Sequence, residues 1–135
     1  MALQFSAGAR NGQLDSIETT VGTAAVLKMF TGAAPADCAT ANSGTELASW
    51  TLAADWAGAA SAGTKAFSNT PLEATAVGSG TAAHFRLYAS DGTTCHMQGT
   101  VTSTGGGGDM TVDNTNIATD QQVNITAFTL TAPGA

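Results

Sequence analysis

Residues 81–101 read TAAHFRLYASDGTTCHMQGTV, and the spacing within them decides the fold. Ala83, Phe85, Leu87 and Ala89 alternate with Ala82, His84, Arg86 and Tyr88. Apolar residues at every second position mark a strand with one buried face, because successive side chains point to opposite sides. Ser90-Asp91-Gly92-Thr93 follows and is a strong hairpin turn. Cys95, Met97, Gly99 and Val101 then alternate with Thr94, His96, Gln98 and Thr100. The stretch predicts a two-stranded hairpin that buries Phe85, Leu87, Cys95 and Met97 on one face.

The same period runs through most of the chain on either side. Residues 24–30 and 45–52 read as strands, separated by a loop at 31–44 rich in Ala, Gly and Pro. Residues 65–69 and 72–77 are short strands around Pro71, which suits an edge or a turn. Between 55 and 61 the chain is small and flexible except for Trp56. The glycine run 105–108 reads as a flexible link. Strands at 109–112 and 122–131 close the chain. In the last, Val123, Ile125 and Ala127 hold one parity while Phe128 and Leu130 hold the other, which predicts a bulge or burial on both faces.

Before this region the period differs. Residues 7–20 carry Ala9, Gln13, Leu14 and Ile17 at three- and four-residue steps, with Asp15 and Glu18 expected to face water. Gly12 weakens this helix and Gly22 is placed to stop it. The expectation is a mainly β protein: an antiparallel β-sandwich of seven or eight strands, jelly-roll or immunoglobulin-like, with one short N-terminal helix. Residues 1–22 form an arm and helix, and residues 23–135 the sandwich domain.

Composition narrows the function. The 135 residues are 43% hydrophobic, enough for one real core. Charged residues are only 10%, against about 25% in average chains. Ala, Gly, Thr and Ser replace them, and such short side chains lose little rotamer entropy on contact. That surface suits a protein packed against neighbours. The net charge is −6, and the four basic residues Arg10, Lys28, Lys65 and Arg86 are scattered. They make no basic stripe, which argues against nucleic acid as a partner. No run approaches the roughly 20 apolar residues of a membrane span. Residues 1–10 lack the basic start and apolar run of a signal peptide, so assembly in the cytoplasm is expected.

Candidate chemistry is thin, and each signal has a plainer reading. His84 and His96 share the polar parity of the hairpin. A metal would need a third ligand such as Asp91 or Cys95, but Asp91 is at the turn and Cys95 is expected on the opposite face. Cross-strand surface histidines are the simpler reading. No Gly-x-Ser-x-Gly elbow or comparable nucleophile motif is present. Asp109, Asp113 and Asp120, with Asn114 and Asn116, fit turns whose side chains bond their own backbone better than a calcium loop. Trp50, Trp56, Phe85 and Tyr88 read as core or interface anchors rather than a sugar platform. Cys38 and Cys95 are either two small buried thiols or a single disulfide. No catalytic residue, cofactor or metal is assigned.

Four segments carry a resemblance: ARNGQLDSIE at 9–18, FTGAAPADC at 30–38, DW at 55–56 and GTTCHMQGTV at 92–101. They are similar to a family of small proteins encoded among tailed-phage virion genes. The resemblance implies a structural role in the virion, favouring a capsid decoration or cement protein on an HK97-type shell. The implied partner is the major capsid protein, with further copies of the chain beside it on the particle. A tail or fibre component that binds host carbohydrate is the alternative. A cement protein needs a rigid β scaffold and a terminal arm, and adding a strand to a neighbouring sheet edge is one way an arm binds. Met1, Ala2, Leu3, Gln4, Phe5 and Arg10 are the candidate partner-binding residues.

Overall fold

The computed structural model of the chain describes residues 3–68 and 72–134. Met1 and Ala2 of the expected arm, and Asn69 and Pro71 of the expected edge, lie outside the described residues. The fold is mainly β with one N-terminal helix, and its sheet is mixed and curled into a half-barrel.

The helix α1 (Ala7–Val21) begins where Ser6 caps it, the Ser6 hydroxyl accepting from the Ala9 N–H at 3.2 Å. It ends at Gly22, whose φ of 87° suits glycine and whose N–H returns to the Glu18 carbonyl at 2.9 Å. Its buried stripe is Leu14 and Val21 with Ile17 between. Ala9 and Gln13, expected on that stripe, are exposed. Asp15 and Glu18, expected to face water, both pair with Lys65. So narrow an apolar stripe needs polar contacts to hold the helix down, and a sequence period cannot show a partner fifty residues away.

The strands are β1 (Val26–Thr31), β2 (Glu46–Thr51), β3 (Thr64–Ala66), β4 (Leu72–Thr75), β5 (Gly80–Tyr88), β6 (Cys95–Ser103), β7 (Met110–Val112), β8 (Asn116–Ile117) and β9 (Gln122–Thr131). Their order is β2-β1-β5-β6-β7-β9-β3. β4 lies on the same edge of β9 as β3, against residues 122–125 rather than 129–131. β8 extends the start of β5. Beyond β4 the Val77 N–H donates to the Leu47 carbonyl of β2 at 2.8 Å. That bond joins segments from opposite ends of the strand order and fixes the curl.

The concave face holds the core. Leu27, Met29, Leu47, Leu87, Met110, Val112, Val123 and Ile125 are fully buried. Phe128 links two regions of it, stacking on Phe67 with ring centroids 4.2 Å apart and meeting Phe85 edge-on at 4.8 Å.

Two irregularities place the side chains discussed below. In β9 the register against β7 runs Thr111 to Ala127 and then Val112 to Ile125, leaving Thr126 as the extra residue. This is the bulge that the parity switch predicts. In the hairpin, Leu87 pairs with Met97 but Tyr88 pairs with Cys95, so His96 is extra. The bulge moves Cys95 off the Met97 face and onto the Tyr88 face.

The glycine run is a tight return rather than a flexible link. β6 and β7 are parallel, Val101 against Met110, although only residues 104–109 connect them. Parallel neighbours ordinarily need a crossover of a dozen or more residues. Here Gly105 and Gly107 take φ of 86° and 82°, and the Gly108 N–H bonds the Thr102 hydroxyl at 3.0 Å.

Candidate functional site

β5 is covered on both faces. Phe85 and Leu87 enter the core, while His84 and Arg86 on the other face are 1% and 2% exposed. The cover is the irregular segment 32–44, and the polar side chains of β5 and β6 hold it there. The two ring nitrogens of His84 engage the Gly32 carbonyl at 2.7 Å and Asn42 Oδ1 at 3.0 Å. Its ring stacks on Phe30, with centroids 5.2 Å apart. Arg86 Nη2 donates to the Cys38 carbonyl at 2.8 Å, and Gln98 donates to the Pro35 carbonyl at 2.7 Å. The expectation of a surface histidine at 84 is therefore corrected. Polar residues on a strand signal water only when nothing polar packs over them.

This cover brings the two cysteines together. Cys38 Sγ and Cys95 Sγ are 2.7 Å apart, and both residues are partly buried. Burial, reinforced by the adjacent Cys95 thiol, pushes the Cys38 thiol up to about 11, with the Arg86 guanidinium acting the other way. The pairing depends on the His96 bulge, since without it Cys95 would face the core beside Met97.

The remaining sequence candidates separate. His84 sits opposite Thr100 in the hairpin, several residues along from His96. His96 is exposed beside Ser16, Ile17 and Thr20 of α1. Asp91 bonds its own turn, accepting from the N–H groups of Thr93 and Thr94 and from the Thr94 hydroxyl. Those hydrogen bonds, led by the Thr94 hydroxyl, bring its pKa down to about 2. Asp109 accepts from the Thr100 N–H and hydroxyl, both at 2.9 Å. Asp113 accepts from the Asn114 N–H at 2.9 Å. Asp91 and Asp113 bond their own turns, whereas Asp109 reaches across to Thr100 of β6, and among the described residues no three potential ligands cluster around a metal position.

Lys65, 2% exposed, donates to Asp15 at 2.9 Å, Glu18 at 2.8 Å and the Gly58 carbonyl at 2.8 Å. Burial opposes its charge, but the hydrogen bonds to Glu18 and Asp15 outweigh this and raise its pKa. The same bond from Lys65 lowers that of Asp15. This is a docking contact for α1.

Concave surface is modest. A groove of about 300 Å³ runs between β2 and β4, with Trp50, Leu52, Trp56 and Leu72 among its walls. The two indoles are only 5% and 2% exposed, so neither offers a ring face for a sugar to stack on. The Trp56 N–H donates to the Gly22 carbonyl at 3.1 Å, which anchors residues 55–61 to the end of α1. A second cavity of about 310 Å³ lies under the helix beside Leu14, Ile17 and Phe85.

The N-terminal arm differs from all of this. Leu3 is 75% exposed and Gln4 is exposed. Phe5 is 38% exposed, its ring lies against Gly134, and its N–H donates to the Gly134 carbonyl at 2.7 Å. Arg10 reaches the Ala132 carbonyl through Nε at 3.2 Å and Nη2 at 2.9 Å. Arg10 is thus an internal anchor at the root of the arm, and Leu3 is the most exposed apolar group among the arm's described residues.

No protein-family model, no curated protein and no solved structure matches the chain.

Proposed function

We propose that this chain is a non-enzymatic structural protein of a tailed-phage particle, and specifically a decoration protein on the major capsid shell. The sequence resemblance motivates the reading, and the arm carries it. Among the described residues three large hydrophobic side chains are exposed, and two of them, Leu3 and Phe5, sit in the first five positions. An apolar side chain held out from an anchored root gains by burial in a partner, about 1.5–3 kcal/mol for a full leucine. The chain's few charges suit close packing against a shell and against further copies of itself. Every copy would bridge neighbouring capsid subunits and oppose their separation.

Quantitative analysis of purified particles tests this. Hundreds of copies on tail-free capsids are expected. A few to dozens of copies, confined to tails, would replace the decoration reading with the tail or fibre one. The buried indoles give carbohydrate binding no support in the groove between β2 and β4.

A further inference from the structure

We propose that Cys38 and Cys95 are a cross-linking pair, oxidised to an intramolecular disulfide that latches residues 32–44 onto the β5–β6 hairpin. The sulfurs are 2.7 Å apart across 57 positions of sequence. A disulfide bond is about 2.0 Å long, so closure asks for a shift of less than roughly 1 Å. The two backbones are held from independent directions. Cys95 is fixed by its pairing with Tyr88 at the bulge, and Cys38 by the bond from Arg86 to its carbonyl. Both residues are only partly buried, which leaves a route for a small oxidant. Arg86 is a cation beside the pair and offsets part of the burial that holds the Cys38 thiol up.

The oxidant is a small-molecule disulfide such as oxidised glutathione. One protein thiolate attacks a sulfur of the oxidant, forming a mixed disulfide and expelling one glutathione thiolate. The second cysteine then loses its proton and attacks the protein sulfur of that mixed disulfide, expelling the other glutathione. Two protein thiols are oxidised, one oxidant disulfide is reduced, and both protons pass to the released thiolates. The latch stands independently of the phage reading, since it needs only the fold.

The test uses the full chain, purified with reductant and then exposed to oxidised glutathione without denaturant. The expected result is loss of both titratable thiols, a mass lower by two hydrogens, and a Cys38–Cys95 peptide in a non-reducing digest. Hydrogen exchange in residues 32–44 should slow in the oxidised form. Cys38→Ser should leave Cys95 able only to form a glutathione adduct, and Cys95→Ser provides the reciprocal check if the first variant folds poorly. The proposal is overturned if both thiols stay titratable in the folded protein. It is equally overturned if only glutathione adducts or intermolecular dimers accumulate.

Discussion

Residues 32–44 and residues 3–5 are both irregular, yet the molecule holds them in opposite ways. The first segment is tied down by His84, Arg86, Gln98 and Cys95, four side chains reaching up from two adjacent strands. The second has one backbone hydrogen bond and one ring against a glycine, and beyond them Leu3 projects into solvent. An irregular segment has no ladder to order it, so its order comes from the side chains that satisfy its carbonyls. Where those side chains exist the segment is a cover. Where they do not, it is free to bind something else.

The largest test of that contrast is the covalent one. Closing a loop of this length removes chain entropy from the unfolded state, worth about 4 kcal/mol in the entropic model. Urea denaturation of oxidised and reduced protein should differ by an amount of that order. The difference should vanish in Cys38→Ser. Equal midpoints for the two forms of the native sequence would mean that the closed bond distorts the folded cover by as much as it restrains the unfolded chain. The raised Cys38 thiol adds a kinetic signature, since oxidation should quicken as pH rises through the alkaline range toward 11.

Next in size is Arg86→Ala. The buried guanidinium bonds the Cys38 carbonyl, and a charged hydrogen bond contributes roughly 1.5–3 kcal/mol. Amide exchange should rise across residues 37–40 and leave the backbone bond of Phe5 unchanged. A variant that loosened both segments equally would mean that the two are not held independently.

This contrast also marks where sequence reading stops. The strands were legible because a period of two survives wherever one face meets the core. The β9 bulge was legible because Ile125 and Phe128 are large, so their change of parity is visible. The hairpin bulge was not, because Cys95, His96 and Met97 alternate acceptably in either register and only the pairing with Tyr88 breaks the pattern. Arg86 and His84 looked like surface residues because their cover is built from Ala, Gly and Pro, which carry no apolar signature. The glycines at 105–108 looked flexible because glycine serves both disorder and tight reversal. Only the parallel pairing of Val101 with Met110 separates the two. Residues 3–5 lie outside the sheet, and the internal role of Arg10 depends on Ala132, which is distant in sequence.

Acid should act where carboxylates accept local hydrogen bonds: at the helix dock, at the hairpin turn and at the Asp37–Thr40 corner of the cover. Asp15 and Asp91 both have folded pKa values below their ordinary ones. Each therefore stabilises the fold fully above about pH 4, and that stabilisation is lost as pH falls through the folded value. For Asp91 the window runs from about 4 down to about 2. Lys65 works in the opposite direction. Its raised pKa makes its contribution complete below the ordinary lysine value and lost only above it, as pH rises through the folded value. Exchange at the Thr93 and Thr94 amides should accelerate between pH 4 and pH 2, and exchange at the Thr40 amide, which Asp37 holds inside the cover, should accelerate in acid too, while β1 and β5 stay protected. Loss of protection in β1 and β5 at the same pH would show that acid unfolds the molecule as one unit.

The smallest effect on stability should come from Leu3→Glu, and for that reason it is the sharpest test of the arm. Leu3 is 75% exposed, and changes at such positions alter stability by less than about 0.5 kcal/mol. The folded protein should therefore have an unchanged urea midpoint. Binding is another matter, since a leucine buried in a partner contributes about 1.5–3 kcal/mol and a glutamate placed there adds a desolvation cost. At about 1.4 kcal/mol per factor of ten, occupancy on capsids lacking the native protein should need at least a tenfold higher concentration. Val77→Glu is the matched control, because Val77 is 62% exposed but lies outside the arm. If Leu3→Glu binds capsids as the native chain does while Val77→Glu does not, the contact lies near Val77 and the arm is not the binding element. If both bind normally, the shell is held through some other face, and the exposure of Leu3 has no role in docking.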